Sequence, residues 1–318
     1  YALLRQLGGV PVLVGLPAGK RKALENQKGV IEMSYQIITD SCCDFTKEMY
    51  EKLGLAVVPL MVNFRGQTFP DRNDESLKDM YAGLRAGEVA TTSAANPGQW
   101  QELMEPYLQK GEDLLVLAFS SGLSTTYQSA SMAADELRTM YPDRTISVVD
   151  SLCASLGEGL LVYYACKKRD EGMPLQELTQ WLLDNRLHLC HWFTVDDLMY
   201  LKRGGRVSAA TAIVGTMLSI KPVLHVDNEG HLINVGKARG RKASIQAMAK
   251  KVAELGAGFD NSTMFISHGD CQEDAEYLAA LLKEQYGAKE VYINYVGAVI
   301  GSHSGPGTLA LFFMGEHR

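Results

Sequence analysis

Two loops of the chain place hydroxyl side chains where a helix is predicted to begin, and backbone N–H groups at such positions can bind an anion. The first loop, residues 91–97, carries Thr92 and Ser93 ahead of a proline, a residue that is favoured in the first turn of a helix. A hydroxyl in this position can also cap the free N–H groups of the helix itself. Capping alone explains one such loop, so the case for a ligand depends on the second.

The second loop, residues 120–127, lies between an apolar predicted strand and a helix predicted over residues 125–140. It contains Ser121, Gly122 and Ser124. The helix dipole favours negative charge here, and ligands of open α/β sheets bind beyond the carboxyl ends of the strands. Two loops of this kind in one domain weaken the helix-capping interpretation without deciding against it, so both interpretations stay open.

A third segment, residues 297–307, places four glycines around His303 and includes Gly301 and Ser302. Glycines allow the backbone to approach a ligand closely. The segment is predicted to be a turn after the strand 290–295. A lone histidine is more often structural than functional, but a position in a loop favours a functional role.

Cations are concentrated at a glycine turn in residues 201–208, where Arg206 could reach a carboxylate or a phosphate. The alternative is a solvated turn that stabilises the negative end of the preceding helix. A later basic cluster is interpreted as a solvated surface or a partner-docking patch, and consists of Lys237, Arg239, Arg241 and Lys242.

Several known sites are absent from the sequence. There is no dinucleotide fingerprint, no metalloprotease motif and no nucleophile elbow, and residues 15–21 are one residue short of a phosphate-binding loop. His188, Cys190 and His191 could suggest a metal, but strand alternation places His191 on the opposite face, so we expect no metal. His268 could line a cleft.

Composition narrows the function classes further. The chain has 318 residues and a net charge of -6, which argues against a general nucleic-acid binder. No apolar run is long enough to cross a bilayer. Six cysteines without a CxxC pair fit reduced thiols and a cytoplasmic protein.

Apolar strands alternate with helices along most of the chain, which predicts an α/β fold with a mainly parallel sheet in the first half. Strands are predicted over residues 35–39, 57–63, 114–119, 145–149, 188–195, 222–226, 232–237, 263–268 and 290–295. Helices are predicted over residues 46–53, 74–86, 99–109, 125–140, 156–171, 175–186, 195–202, 209–218, 244–255 and 273–286. Asp74 is a plausible N-cap, and Asn228-Glu229-Gly230 is typical of a hairpin turn.

The predicted organisation has three parts. Residues 1–32 are expected to be an upstream or vector-derived extension outside the fold, because Met33 precedes the first clear strand. Residues 34–190 are predicted to form an N-terminal α/β domain, and residues 191–318 a C-terminal α/β domain.

Motifs running in order from Tyr35 to the C-terminus resemble signatures of the DegV family. They are Thr39-Asp40-Ser41, Thr92-Ser93, residues 120–124 with Tyr127-Gln128, Val149-Asp150-Ser151, Asp197-Leu198 with residues 201–206, and residues 301–307. The resemblance implies a two-domain DegV-like fold that holds one long-chain fatty acid in a buried tunnel between the domains. It also implies a protein that is not itself an enzyme and has no cofactor.

The resemblance further implies specific partners and ligands. A separate ATP-binding fatty acid kinase subunit would convert the presented carboxylate to an acyl phosphate for bacterial phospholipid metabolism. The carboxylate would be held by Thr92, Ser93, Ser121 or Ser124, and His303. Nearby or partner-docking residues would be Arg206, Gly122, Gly301 and Ser302. The protein is expected to be a monomer that can contact membranes transiently.

The residues alone also allow two functions other than that of a fatty acid carrier. A hydrolase or acyltransferase could use Ser121 or Ser124 with His303, but it would need a third group to orient the imidazole. A regulatory protein could use the lipid only to stabilise its fold.

Overall fold

The computed structural model describes residues 35–71, 76–207 and 220–318 with their side chains, and the backbone of two short strands. These strands, β1 (Arg5–Leu7) and β2 (Val10–Val12), pair with each other antiparallel. Within the described residues, no helix is both long and apolar enough to cross a membrane. The predictions for residues 15–21, for Asp74 and for a helix over 209–218 fall outside the described residues.

Residues 35–318 form one compact unit. Its first half contains β3 (Tyr35–Asp40), α1 (Lys47–Leu53), β4 (Ala56–Val58), β5 (Met61–Phe64), β6 (Gln67–Pro70), α2 (Ser76–Arg85), β7 (Thr91–Ser93), α3 (Pro97–Gln109), β8 (Asp113–Ala118), α4 (Thr126–Met140), β9 (Ile146–Asp150), α5 (Leu156–Asp170) and α6 (Leu175–Asn185). Its second half contains β10 (Leu189–Thr194), α7 (Met199–Arg203), β11 (Ile220–Val226), β12 (Leu232–Arg239), α8 (Arg241–Leu255), β13 (Thr263–His268), α9 (Gln272–Gln285), β14 (Glu290–Tyr295), α10 (Ala298–Ser304) and β15 (Leu309–Met314).

The first half is built on a four-stranded sheet in the order β4-β3-β8-β9, in which every neighbouring pair is parallel. The predicted mainly parallel sheet is therefore confirmed. The single strand predicted over residues 57–63 is wrong. Pro59 interrupts it because proline has no N–H for the ladder, and the chain leaves the parallel sheet to form β5. Strand β5 is the centre of a separate sheet in the order β6-β5-β7.

The second half contains a six-stranded sheet in the order β12-β11-β10-β15-β13-β14. Only β13 and β14 pair parallel among these neighbours. The predicted hairpin is confirmed, with Gly230 at φ 82° in its turn. The boundary predicted between residues 190 and 191 falls inside β10 (Leu189–Thr194). The division of the chain into two domains stays a prediction.

Helix α5 connects the two halves, because it packs between the parallel sheet and the six-stranded sheet. Its side chains share one core cluster with Ile37 of β3 and with Phe265 and Phe312 of the second sheet. Two glycines of α5 allow close packing. A Cβ at Gly157 would lie 2.2 Å from Nε2 of His191, and a Cβ at Gly159 would lie 2.7 Å from the carbonyl oxygen of Cys43. The halves therefore share a core beside the cavity described below.

Candidate functional site

A cavity of about 530 Å³ is lined by residues of both halves. This volume falls in the range of about 300–1,000 Å³ that is usual for ligand pockets. Much of its wall is apolar, with Phe119 from the first half and Phe193, Val226, Leu232 and Phe312 from the second. Such a wall suits a hydrocarbon chain, and a smaller set of polar side chains would fix the position of its head group.

The side chains of Thr92 and His303 meet at this cavity, with 2.7 Å between Oγ1 and Nε2. Thr92 lies on β7, which pairs with β5, so the predicted loop is a short strand here. Successive side chains on a strand point to opposite faces, and Thr92 is half-buried while Thr91 and Ser93 are exposed. Ser93 therefore does not line the cavity.

The helix that follows this strand is capped by a different residue from the one predicted. The side chain of Asn96 accepts a hydrogen bond from the backbone of Gln99, and the side chain of Gln99 accepts one from the backbone of Asn96. Pro97 is the first residue of α3, as expected from its position. Since Asn96 caps the helix, the hydroxyl of Thr92 is left to interact with His303.

His303 lies on a short helix, α10, rather than in the predicted glycine turn. The carboxylate of Asp71 accepts a hydrogen bond of 3.2 Å from the backbone N–H of Val299, in the first turn of this helix. Tyr81 donates a hydrogen bond of 2.8 Å to the carbonyl of Val296 just before it. Gly301 is required for packing, since a Cβ there would lie 2.5 Å from the Tyr81 hydroxyl.

The imidazole of His303 is held in its neutral form. Burial, with a smaller contribution from the Arg206 guanidinium, lowers the pKa of His303 from 6.5 to about 4. Its Nδ1 faces Gly204 so closely that a Cβ on that glycine would lie 2.3 Å away. A neutral ring can both accept and donate a hydrogen bond, so it can complete a carboxylate site without a fixed charge.

The predicted anion loop lies on the same cavity, with Ser121 and Ser124 both in its wall. The Ser124 hydroxyl bonds to the Thr126 hydroxyl at 2.8 Å and accepts from the Thr126 backbone N–H. No hydrogen bond is recorded for the Ser121 hydroxyl within the described residues, while its backbone N–H donates to Asp150. Ser121 is thus the serine that is free to meet a ligand.

The turn of the β11–β12 hairpin holds this loop in place. The Ser120 hydroxyl donates a hydrogen bond of 2.9 Å to the carbonyl of Gly230. Gly122 packs against the same turn, because a Cβ there would lie 2.7 Å from the carbonyl oxygen of Glu229. Gly122 therefore has a packing role and does not line the cavity.

A buried carboxyl group that sequence reasoning did not assign to the site supports the start of this loop. Asp40 accepts hydrogen bonds from the backbone N–H groups of Cys42 and Phe119, at 3.0 and 2.8 Å. Burial raises the pKa of Asp40 to about 7, and burial also raises the pKa of Asp71 to about 6. Asp40 belongs to the Thr39-Asp40-Ser41 motif, which does not reveal that its side chain supports this loop, and Asp71 carries no signal in the sequence.

Arg206 also lines the cavity and donates to two backbone carbonyls, those of Leu123 at 3.2 Å and Gly204 at 2.5 Å. These bonds hold the guanidinium between the anion loop and α7. In the later basic cluster, Arg241 pairs with Asp274 at 2.8 Å, whereas the other three cations are exposed: Lys237, Arg239 and Lys242.

Ser302 and His268 lie away from the cavity wall. Ser302 donates to the carbonyl of Ala298 within its own helix, at 2.6 Å. His268 accepts from the backbone of Cys271 and packs on Tyr295. His191 lines the cavity, on the face of β10 opposite to Cys190, as the alternation predicted. Across the part of the chain that the structure describes, no three or more His, Cys, Asp or Glu side chains come together in a group that could hold a metal ion.

Comparisons with known proteins agree on one family. Residues 34–316 match the family described as uncharacterised protein, DegV family. A DegV domain-containing protein of Clostridium perfringens is 43% identical over 286 residues, which is 89% of this chain and 98% of that protein.

Two solved structures are similar over nearly the same length. A DegV family protein of Thermus thermophilus, described with fatty acid binding, is 32% identical with a TM-score of 0.80, covering 89% of this chain and all of its own. A DegV lipid-binding protein of Thermotoga maritima is 30% identical with a TM-score of 0.78, covering 90% of this chain and all of its own.

Proposed function

The chain belongs to the DegV family, and we propose that it binds one long-chain fatty acid in the cavity between its two halves. The observation that carries this proposal is the pair of Thr92 and His303, which places two neutral hydrogen-bonding groups on the wall of a largely apolar cavity. Similar structures described as fatty-acid- or lipid-binding support the same ligand class.

The energetics of such a ligand fit the cavity. Each buried methylene contributes about 0.8 kcal/mol, so an acyl chain supplies most of the affinity. The carboxylate must then find hydrogen-bond donors, because a buried charge without partners is costly. The Thr92–His303 pair uses one of its two protons in its own hydrogen bond and can donate the other to the carboxylate. We assign the donors to this pair and to Ser121, with Arg206 close by. Ser124 is a weaker candidate because its hydroxyl already bonds to Thr126.

We further propose that the bound carboxylate is presented to a separate ATP-binding kinase subunit, which forms the acyl phosphate used in phospholipid metabolism. Thr125 and Gln128 line the cavity and are exposed, which supports an opening beside the anion loop. A partner could reach the carboxylate there while the acyl chain stays buried. The chain itself would then contribute binding rather than catalysis.

A hydrolase that uses Ser121 or Ser124 with His303 is less well supported. A catalytic triad needs an acidic group to orient and stabilise the imidazolium. In the described residues, the charged group that acts on the pKa of His303 is Arg206, which has the opposite sign.

Native mass spectrometry of the purified protein, combined with lipid extraction, tests fatty acid binding. We expect one bound fatty acid per chain, which is lost in the Thr92→Val/His303→Ala double variant. Thr91→Val is the matched control, because Thr91 is exposed on the same strand, and it should retain the lipid. A wild-type protein that is purified without lipid and does not bind added fatty acids would rule out the proposal.

A phosphorylation assay tests the kinase step separately. Acyl phosphate should form only when the lipid-loaded protein, ATP and a fatty acid kinase subunit are all present. Formation without the kinase subunit, or no stimulation by the lipid-loaded protein, would contradict this part of the proposal while leaving fatty acid binding intact.

A further inference from the structure

Ser304 carries a buried hydroxyl for which the described residues provide no partner. The residue is 4% exposed, lines the cavity, and its Oγ has no hydrogen bond in the described part of the chain. Serines in helices can donate to the carbonyl four residues earlier, and Ser302 does so in this same helix. Ser304 does not, so its hydroxyl remains available to the contents of the cavity. Burying a hydroxyl without a partner is unfavourable.

Two more hydroxyls lie in the wall of the same cavity. Ser267 of β13 and Ser155, which precedes α5, bring their Oγ atoms to 2.9 Å, and the Ser155 hydroxyl also donates to Asp44. Ser155 has φ 56°, a conformation that is uncommon for residues other than glycine and is often found at functional sites.

Hydrogen bonds to the backbone join the segment that carries Ser304 to the segment that carries Ser267. Thr308 donates to the carbonyls of Ser304 and Gly305, at 3.0 and 2.8 Å. The backbone of Gly269, two residues after Ser267, donates to the carbonyl of Thr308 at 2.7 Å. The end of α10 is therefore fixed beside the end of β13.

Ser304 and His303 address different parts of the cavity. Consecutive side chains of an α-helix point about 100° apart, because 3.6 residues complete a turn. His303 is directed to Thr92. When the carboxylate of a ligand contacts His303, the part of the ligand beside Ser304 is therefore its acyl chain and not its head group.

From this arrangement we propose that Ser304 is the centre of a second polar subsite, supported by Ser267 and Ser155, which binds an oxygen atom carried on the acyl chain. The preferred ligand is then an oxygenated fatty acid, such as a hydroxy fatty acid. This inference rests on the proposed function, since it assumes that the carboxylate lies at Thr92 and His303. It adds the chemical class of the ligand and a residue that selects it.

Isothermal titration calorimetry with stearate and with a series of positional hydroxystearates tests the subsite. We expect at least one isomer to bind the wild-type protein about tenfold more tightly than stearate, which corresponds to about 1.4 kcal/mol. Ser304→Ala should remove this preference and leave stearate affinity within about twofold. Ser304→Thr keeps a hydroxyl and should retain the preference. It tests the subsite even if the alanine variant is misfolded.

Ser244→Ala is the matched control, because Ser244 is also a buried serine in a helix, but it donates to the carbonyl of Arg241 and lies away from the cavity wall. It should keep the preference. Equal loss of affinity for stearate and hydroxystearate in Ser304→Ala would mean that Ser304 binds the carboxylate, which overturns the subsite. Stearate binding without preference for any isomer overturns it as well, whereas a protein that binds neither acid overturns the proposed function too.

Discussion

Thr92 and His303 are 211 residues apart in the chain, yet Oγ1 of the threonine lies 2.7 Å from Nε2 of the histidine. One residue comes from a three-residue strand and the other from a seven-residue helix. Neither element is long enough to be stable alone, so each depends on the packing around it. The geometry of the site is therefore a property of how the two halves pack, and perturbing either support should change ligand binding.

The neutral state of His303 predicts a specific dependence of stability on pH. Its pKa is about 4 in the folded chain and 6.5 in the unfolded chain, so the unfolded chain binds more protons between these values. This contribution to stability is present above pH 6.5 and is lost as the pH falls towards 4. The shift is worth roughly 3 kcal/mol.

His303→Gln removes this proton linkage while keeping a polar side chain of similar size. Urea unfolding at pH 7.5 and 4.5 should show a smaller loss of stability at the lower pH for the variant than for the wild type. Equal losses for the two proteins would mean that the imidazole is not buried in its neutral form.

The two serines of the anion loop should respond differently to substitution. Ser121→Ala removes the hydroxyl that is free to meet the carboxylate, and we expect fatty acid affinity to fall about tenfold, as is usual for a hydrogen bond to a charged group. Ser124→Ala removes contacts with Thr126 at the start of α4 and should lower the melting temperature more than the affinity. Titration calorimetry and thermal unfolding separate the two effects. The reverse ranking would assign the carboxylate to Ser124.

The sequence predicts those parts of the fold that follow from local periodicity. Strands β13 and β14 begin and end at the predicted residues, because apolar side chains are bounded there by turn residues. The helical character of α10 was missed because four glycines around His303 resemble a turn. The break at Pro59 was missed because apolar residues continue on both sides of it.

The supports of the site could not be predicted in the same way. The hydrogen bond from Val299 to Asp71 joins residues 228 positions apart, and no local pattern marks Asp71 as its acceptor. The hydroxyls of Ser155 and Ser267 reach the cavity only because α5 packs on the second sheet. The sequence predicted loops at a ligand site, whereas tertiary packing decides which side chains face the cavity.

Asp40 should make the protein less stable at higher pH. Burial raises its pKa from 3.8 to about 7, so the folded chain binds more protons than the unfolded chain between these values. This contribution is fully present below pH 3.8 and is lost as the pH rises through about 7. Asp40→Asn should remove the corresponding decrease in unfolding free energy, which is roughly 4 kcal/mol.

Urea unfolding of both proteins between pH 5 and pH 8.5 measures the part of this effect that falls above pH 5, which is roughly 3 kcal/mol. Asp40→Asn is expected to be less stable overall, because its amide places an N–H₂ against one of the two backbone N–H groups that the carboxylate accepts. Only the difference in slope between variant and wild type carries the prediction. Parallel slopes would show that Asp40 is ionised in the folded protein throughout this range.

Asp71 is expected to act on ligand binding without touching the ligand, because it accepts from the first turn of the helix that carries His303. Asp71→Ala removes this acceptor and should lower fatty acid affinity about fivefold. Asp71→Asn keeps one oxygen and should lie closer to the wild type. If both variants are folded by circular dichroism and bind like the wild type, α10 is held in place without Asp71.

Gly204 offers the most direct way to move the imidazole without replacing it. A Cβ at this position would lie 2.3 Å from Nδ1 of His303, so Gly204→Ala must push the ring away from the glycine and change its contact with Thr92. A misplaced donor at a buried carboxylate leaves the charge poorly paired, and we expect affinity to fall by about tenfold or more. Gly236→Ala is the matched control, because a Cβ there meets its nearest neighbour at 3.8 Å. Titration of both variants with stearate gives the measurement, and wild-type affinity in Gly204→Ala would show that the position of His303 does not determine how the carboxylate is held.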